Sequence, residues 1–227
     1  MVSPSFTMEV QDRLATLISE TETGCQSIKL IEDSGSPSRC LQRATAHVEA
    51  PVFTWGTDDG IYRPRQLRLC LDRLSTAPRW DGIIVKYTEE GPGTFTGACD
   101  EYYVAENHEA NRQPGIPSHF KTAPVGMFWT EYWREMGGID CRFDHINMNV
   151  HDFCYRLQHD GGELHYSQDV VMHCDSDNWG ADHRVLDVAY QQNDLPLFVE
   201  LYRDSSRRGP IDPDNWKLAD AVWERFK

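Results

Sequence analysis

The segment Pro51-Val52-Phe53-Thr54-Trp55-Gly56-Thr57-Asp58-Asp59-Gly60 joins a short apolar run to a polar one. Val52 to Trp55 are β-branched or aromatic, residues that fit a pleated, half-buried surface, so the run reads as a strand. Gly56 breaks it, and two adjacent carboxylates, Asp58 and Asp59, follow at its C-terminal end. In open α/β sheets, ligands bind in the crevice outside the carboxyl ends of the strands. Adjacent carboxylates repel unless solvent or a hard cation screens them. Mg²⁺ and Mn²⁺ take such oxygens and bridge them to substrate phosphates. Two readings stand side by side: a divalent-cation site that carries a diphosphate, or a solvated Asp-Asp-Gly turn.

The neighbouring segments repeat the strand-then-turn pattern. Upstream, residues 27–31 read as a strand, and Glu32-Asp33-Ser34-Gly35-Ser36 as the polar turn at its end. Asp33 thus falls on the same sheet edge as Asp58 and Asp59, which favours one shared polar crevice. Thr7 suits an N-cap for a first helix whose apolar face is Val10, Leu14, Leu17 and Ile18; a second helix covers Arg39 to Val48. Downstream, Pro64 opens a helix with Leu67, Cys70, Leu71 and Leu74 on one stripe, and residues 82–87 form a further strand. Strands alternating with helices predict an α/β fold with a mostly parallel central sheet flanked by helices. Residues 91–124 are rich in Gly, Pro and polar side chains and read as irregular. Helices follow at Trp129 to Met136, stopped by Gly137-Gly138, and at Val150 to His159. Short strands follow at 164–166 and 170–173, and the tail from Val185 is helical. One domain of residues 1–227 is expected, with a nucleotide-binding half (1–90), an acceptor and catalytic half (91–184) and a helical tail (185–227).

Composition narrows the classes of partner. The chain has 22 Lys plus Arg against 36 Asp plus Glu, a formal net charge of −14. Duplex binders neutralise phosphates with basic side chains, and polybasic membrane docking needs the same excess, so neither nucleic acid nor an anionic membrane surface is an expected partner. Residues 140–182 hold nine acids and two arginines, a net of −7 and half of the excess. No run of 18 apolar residues is present, so no transmembrane segment is expected. The seven cysteines are dispersed without a CxxC pair, and Met1 to Thr7 lacks the character of a signal peptide. Together these predict reduced thiols and a cytoplasmic protein.

Six motifs in order, Val2-Ser3-Pro4-Ser5-Phe6, Ile31-Glu32-Asp33-Ser34-Gly35-Ser36, Thr57-Asp58-Asp59-Gly60-Ile61-Tyr62-Arg63-Pro64, Gly137-Gly138-Ile139-Asp140, Asp152-Phe153-Cys154-Tyr155-Arg156-Leu157 and His173, resemble family 2 glycosyltransferases of the GT-A fold. The resemblance covers residues 1 to about 175. It implies inverting transfer of a sugar from a nucleoside-diphosphate sugar, UDP-sugar favoured, to a carbohydrate or other hydroxyl acceptor. It implies Mn²⁺ or Mg²⁺ on Asp59, with Asp58 and His173 as further metal residues. Pro4, Ser5, Phe6, Asp33 and Asp58 are implied on the nucleotide side, Asp33 against the base; Arg39, read from the residues alone, is a phosphate binder on that side or a solvated helix-end residue.

The chain departs from the family pattern in two places. Only Met1 and Val2 precede Ser3 where the family has its opening strand. Asn149 and Val150 occupy the acidic pair that usually supplies the catalytic base. Asp152 at a helix start is then the first choice of base, with His151 its competitor and Asp144 a third. Two other classes stay open: a nucleotide-sugar-binding module without transfer, motivated by Val150, and a metal hydrolase on the histidines between 145 and 183. Trp129 and Trp133, four apart on a helix, are one face of core or an acceptor platform. Arg63 and Arg65 are solvated helix-end residues or phosphate binders. Asp182-His183 is a second acid/base pair or a surface loop.

Overall fold

A computed structural model describes residues 2–3, 29–56, 60–90, 120–175, 181–203 and 209–217. The helix expected after Thr7 lies outside them, as does most of the irregular stretch. Among the described residues the strands fall into three sheets. β1 (Val2–Ser3) and β2 (Ile31–Glu32) pair in parallel, so the opening strand is present though short. β3 (Val52–Thr54), β7 (Gly126–Trp129), β5 (Gly82–Ile84) and β8 (Leu164–Tyr166) form a four-stranded sheet in that spatial order. β4 (Gly60–Tyr62), β9 (Met172–Asp175) and β6 (Tyr87–Glu90) form a three-stranded one.

The sheets are mixed, which corrects the expectation of a mostly parallel one. β7 runs antiparallel to both β3 and β5, and only β5 and β8 pair in parallel in the larger sheet. β7 escaped the sequence reading because Val125 to Trp129 is an unbroken apolar run that continues directly into a helix. Periodicity cannot separate a buried strand from a buried helix start in such a run. Three strands of the larger sheet are each followed, after a short break, by a strand of the smaller one: β3 by β4, β5 by β6 and β8 by β9. The smaller sheet therefore stands at the carboxyl ends of β3, β5 and β8.

The helices are α1 (Pro37–Thr45), α2 (Pro64–Ser75), α3 (Thr130–Glu135), α4 (Ile146–His159), α5 (Ala181–Ala189) and α6 (Leu195–Tyr202). Ser36 caps α1 by accepting the Arg39 N–H, and Pro37 follows where a missing N–H costs nothing. None of the helices is long and apolar enough to cross a membrane among the described residues. The main core is aromatic. Trp133 lies 4.2 Å from Phe153 and 5.1 Å from Phe53 between ring centres, and its Nε1 donates to Thr45 Oγ1. Core is thus the role of Trp133, and the acceptor-platform reading of it falls.

α4 starts at Ile146, four residues before the expected Val150, and is buried nearly all round: Met148 to Cys154, Arg156 and Leu157 are all inaccessible. Such a helix belongs inside the protein. It carries an ion pair with it. Arg156 Nε donates to Asp152 Oδ2 at 2.9 Å, and Tyr202 of α6 donates its hydroxyl to Asp152 Oδ1 at 2.6 Å. Arg156 Nη1 donates to the Met136 carbonyl at 2.7 Å, and Nη2 to that of Gly138. Asp152, Arg156 and Tyr202 are all fully buried. The turn they hold needs glycine: Gly137 and Gly138 have φ of 78° and 65°, and a Cβ on Gly138 would meet Gln42 Oε1 at 2.1 Å.

A second cluster of Phe143, Met148, Phe198 and Tyr202 joins α4 to the C-terminal helices. Asp194, at the end of a π-helical turn, accepts the N–H of Asp144 at 2.9 Å and of His145 at 2.6 Å, so it caps the start of α4 from across the chain. Burial is the largest influence on Asp194 and lifts its carboxyl from 3.8 to about 6, against the pull of those N–H donors. The folded chain holds a proton there that the unfolded chain has released. The stability from Asp194 is complete below the unfolded value and is lost as pH rises through about 6.

Two outcomes are expected. Arg156→Met, which strands the buried Asp152 charge, should lower unfolding free energy by about 3–5 kcal/mol in urea titration; a loss below about 1 kcal/mol would show the pair is dispensable. Asp194→Asn, which does not titrate, should gain on the parent by about 2 kcal/mol between pH 4 and pH 7, and parallel urea stability curves for the two would contradict the shifted carboxyl.

Candidate functional site

The carboxyl end of β2 leads into Asp33, whose side chain is buried. Gly35 N–H donates to Asp33 Oδ1 at 2.8 Å. Arg43 Nη1 donates to Oδ2 at 2.7 Å, and Arg39 Nε lies 3.2 Å from Oδ1. Burial works to raise the Asp33 carboxyl, but the Arg43 and Gly35 hydrogen bonds and the Arg39 charge outweigh it and hold it below 3.8. Arg39 and Arg43 sit four apart on one face of α1, the spacing that lets both reach the same carboxylate. Arg39 was singled out from the sequence, but not as a partner of Asp33; Arg43 was missed, although its position one turn further along was the available signal.

The end of β3 is fixed from the opposite side. The Trp55 indole stacks on Phe128, 5.7 Å between centres, and donates to the Pro124 carbonyl at 2.9 Å. The Tyr62 hydroxyl donates to the Trp55 carbonyl. Trp55 and Tyr62 thus pack and brace the strand end. Pro4, Ser5, Phe6, Asp58 and Asp59 lie outside the described residues. β4 resumes at Gly60 opposite Cys174, and Ile61 stands opposite His173. On the other side of β9, Thr88 of β6 stands opposite His173. Met172 and Cys174 are buried, while His173 alternates onto the face it shares with the exposed Ile61. Thr88 Oγ1 lies 2.7 Å from His173 Nδ1 and orients the ring. Thr88 had no sequence signal; only strand register reveals it.

The acceptor-side expectations meet a different environment. Asp152 is closed at both oxygens by Arg156 and Tyr202 and has no exposure, so in this structure its carboxylate holds elements together and does not face an acceptor hydroxyl. His151 is 2% exposed and packs edge-on between Phe120 and Phe198, 6.3 and 6.4 Å between centres. Asp144 is also fully buried, against Asn193. Val150 is core, and the neighbouring Asn149 donates to Ser38 Oγ. Sequence reading placed Asp152 at a helix start; the helix begins about one turn earlier, at Ile146, and that moves Asp152 into its middle.

The remaining histidines do not converge. His145 caps α4, His159 meets Tyr155, and His165 pairs with Asp81 at 2.9 Å. Among the described residues no group of three or more His, Cys, Asp or Glu is arranged to hold a metal ion. Asp182 and His183 fall in the first turn of α5, so the surface-loop reading gives way to helix. Arg63 and Arg65 are exposed at the start of α2. One open cleft of about 390 Å³ lies between α2 and the β8–β9 connection, near Arg73 and Asp169. Another, of about 610 Å³, lies at the amino end of β3 by Trp129. Neither is lined by Asp33, Asp152 or His173.

No protein-family model and no curated protein matches the sequence. Solved structures do match. One is glucosyl-3-phosphoglycerate synthase from Mycobacterium tuberculosis, crystallised in complex with phosphoglyceric acid. It is 13% identical, with a TM-score of 0.50 over 85% of this chain and 67% of that one. At that identity the likeness is one of architecture: the chain has a mixed α/β, glycosyltransferase-like fold.

Proposed function

We propose that the protein is an inverting glycosyltransferase of the family 2 type, which moves a sugar from a nucleoside-diphosphate sugar, UDP-sugar favoured, to a hydroxyl acceptor. The observation that carries this reading is strand register. The residue after Asp59 opens β4 directly beside the strand that bears His173. Asp58, Asp59 and His173 together make a carboxylate and imidazole donor set that suits Mn²⁺ or Mg²⁺. When bound there, such a cation supplies Lewis-acid stabilisation of the departing diphosphate.

The chain's own residues do the rest. Pro4, Ser5, Phe6, Asp33 and Arg39 are the nucleotide-side residues of this reading. Thr88 holds the His173 ring in one orientation. Residues 1–90 act as the nucleotide half of a single domain, 91–184 as the acceptor half and 185–227 as a tail. Holding donor and acceptor in line supplies several kcal/mol of the acceleration. Asp152 and His151 serve the acceptor side by building α4 rather than by taking the proton.

A second reading, a module that binds a nucleotide sugar without transferring it, is favoured by the enclosure of Asp144, Val150, His151 and Asp152. The dispersal of the described histidines leaves the hydrolase reading without a supporting observation.

Thermal-shift measurements with UDP, GDP, CMP and dTDP sugars, with and without Mn²⁺, test the proposal. At about one hundred times Kd a single ligand adds about 2.7 kcal/mol, which corresponds to about 5–10 °C for a chain of this size. Asp59→Ala should abolish the Mn²⁺-dependent part. If no nucleotide sugar gives a metal-dependent shift, the proposal fails. Binding without product over a broad acceptor panel would select the second reading.

A further inference from the structure

The segment 209–217 is pinned to the body by well-formed hydrogen bonds. Ile211 N–H donates to the Met136 carbonyl at 3.2 Å, and Gln42 Nε2 to the Pro213 carbonyl at 2.9 Å. Cys141 N–H donates to Asn215 Oδ1 at 2.8 Å, and Asn215 Nδ2 to the Ile139 carbonyl at 3.0 Å. The backbone so held presents the half-buried indole of Trp216 to α1. The Arg43 guanidinium carbon lies 5.4 Å from the ring centre. Lys217 Nζ lies 5.6 Å from the same ring and is tied to Asp214 at 2.6 Å.

Arg43 is also the residue that closes the end of β2. Its Nη1 donates both to Asp33 Oδ2 at 2.7 Å and to the Glu32 carbonyl at 2.8 Å. A long, flexible arginine does not hold two acceptors in register unless something restricts its rotamers, and a stacked indole does so through its π face. The chain of contacts runs from Trp216 to Arg43, and from Arg43 to Asp33 and Glu32.

We propose that Trp216 is a positioning residue for the donor nucleotide: by stacking on Arg43 it fixes the Arg39–Asp33–Arg43 cluster at the base end of the site. This deepens the nucleotide-sugar reading and rests on it. Trp216 acts through Arg43, so its influence falls on the base end of the ligand and not on the diphosphate, which the Asp58, Asp59 and His173 side would hold.

The test separates those two ends. Calorimetry with Mn²⁺ present compares UDP, GDP, ADP and dTDP with inorganic pyrophosphate on the full chain. Trp216→Ala should weaken the preferred nucleoside diphosphate about three- to tenfold and leave pyrophosphate unchanged. Trp216→Phe, which keeps a π face, should stay within about twofold of the parent. Arg43→Lys keeps the charge but loses the planar fork, and should weaken the nucleotide selectively as Trp216→Ala does. Unchanged nucleotide affinity in Trp216→Ala, or an equal loss for nucleotide and pyrophosphate, overturns the role of Trp216 while leaving the nucleotide site standing. Failure of the parent to bind any of the four nucleotides overturns the site itself, and this role with it.

Discussion

A guanidinium with no contact with water must be matched on every side, and Arg156 is matched. Taking such an ion out of water costs several kcal/mol unless geometry and hydrogen bonds repay it. Asp152, two main-chain carbonyls and the face of Phe153, 5.5 Å from the guanidinium, do so. The carbonyls belong to the turn at Met136 to Gly138, so the pair fixes where α4 lies relative to α3. Tyr202 brings α6 onto the same carboxylate. Once this junction is set, Gly138 faces Gln42, and Gln42 reaches back to the turn through Gly137 O and Ile139 N. The placement of α1 against the Met136–Gly138 turn thus depends on a buried charge pair on another helix.

The larger sheet supplies the second constraint. Phe128 of β7 lies across Gly82 and Gly126, where a Cβ would meet its ring at 2.3 Å on either side. The ring meets Trp55 and Phe153 as well, so the end of β3 and α4 share one packing partner. Each of β3, β5 and β8 then continues into the smaller sheet, and that continuity carries His173 to the strand beside β4. Position at the site is inherited from packing below it.

What the sequence made legible was the edge. The strands before Asp33 and Asp58 were bounded by turn residues, and the helix after Pro64 had a clear stripe. What stayed hidden depended on partners distant in the chain. β7 lacked a break before α3, and β4 is too short to show alternation. Asp152 invited a catalytic reading because it was placed at a helix start, which favours an ionised carboxylate. Its flanks argued otherwise: Val150, Phe153, Cys154 and Leu157 surround it with apolar residues, and Arg156 stands one turn on. An acid and a base four apart on a helix apolar all round describe an internal pair. Asp33 was placed correctly at its strand end, but nothing local announced that two arginines would hold it.

The docking of residues 211–216 has a consequence for how the protein is made. Gln42 takes its Pro213 partner across 171 positions, and Arg43 takes Trp216 at a similar remove. Synthesis is directional, and Asp33 leaves the ribosome long before Trp216 does. A nascent chain can close its sheets while the Asp33–Arg43 edge is still unbraced, so that edge should reach its final rigidity only when the downstream segment has emerged.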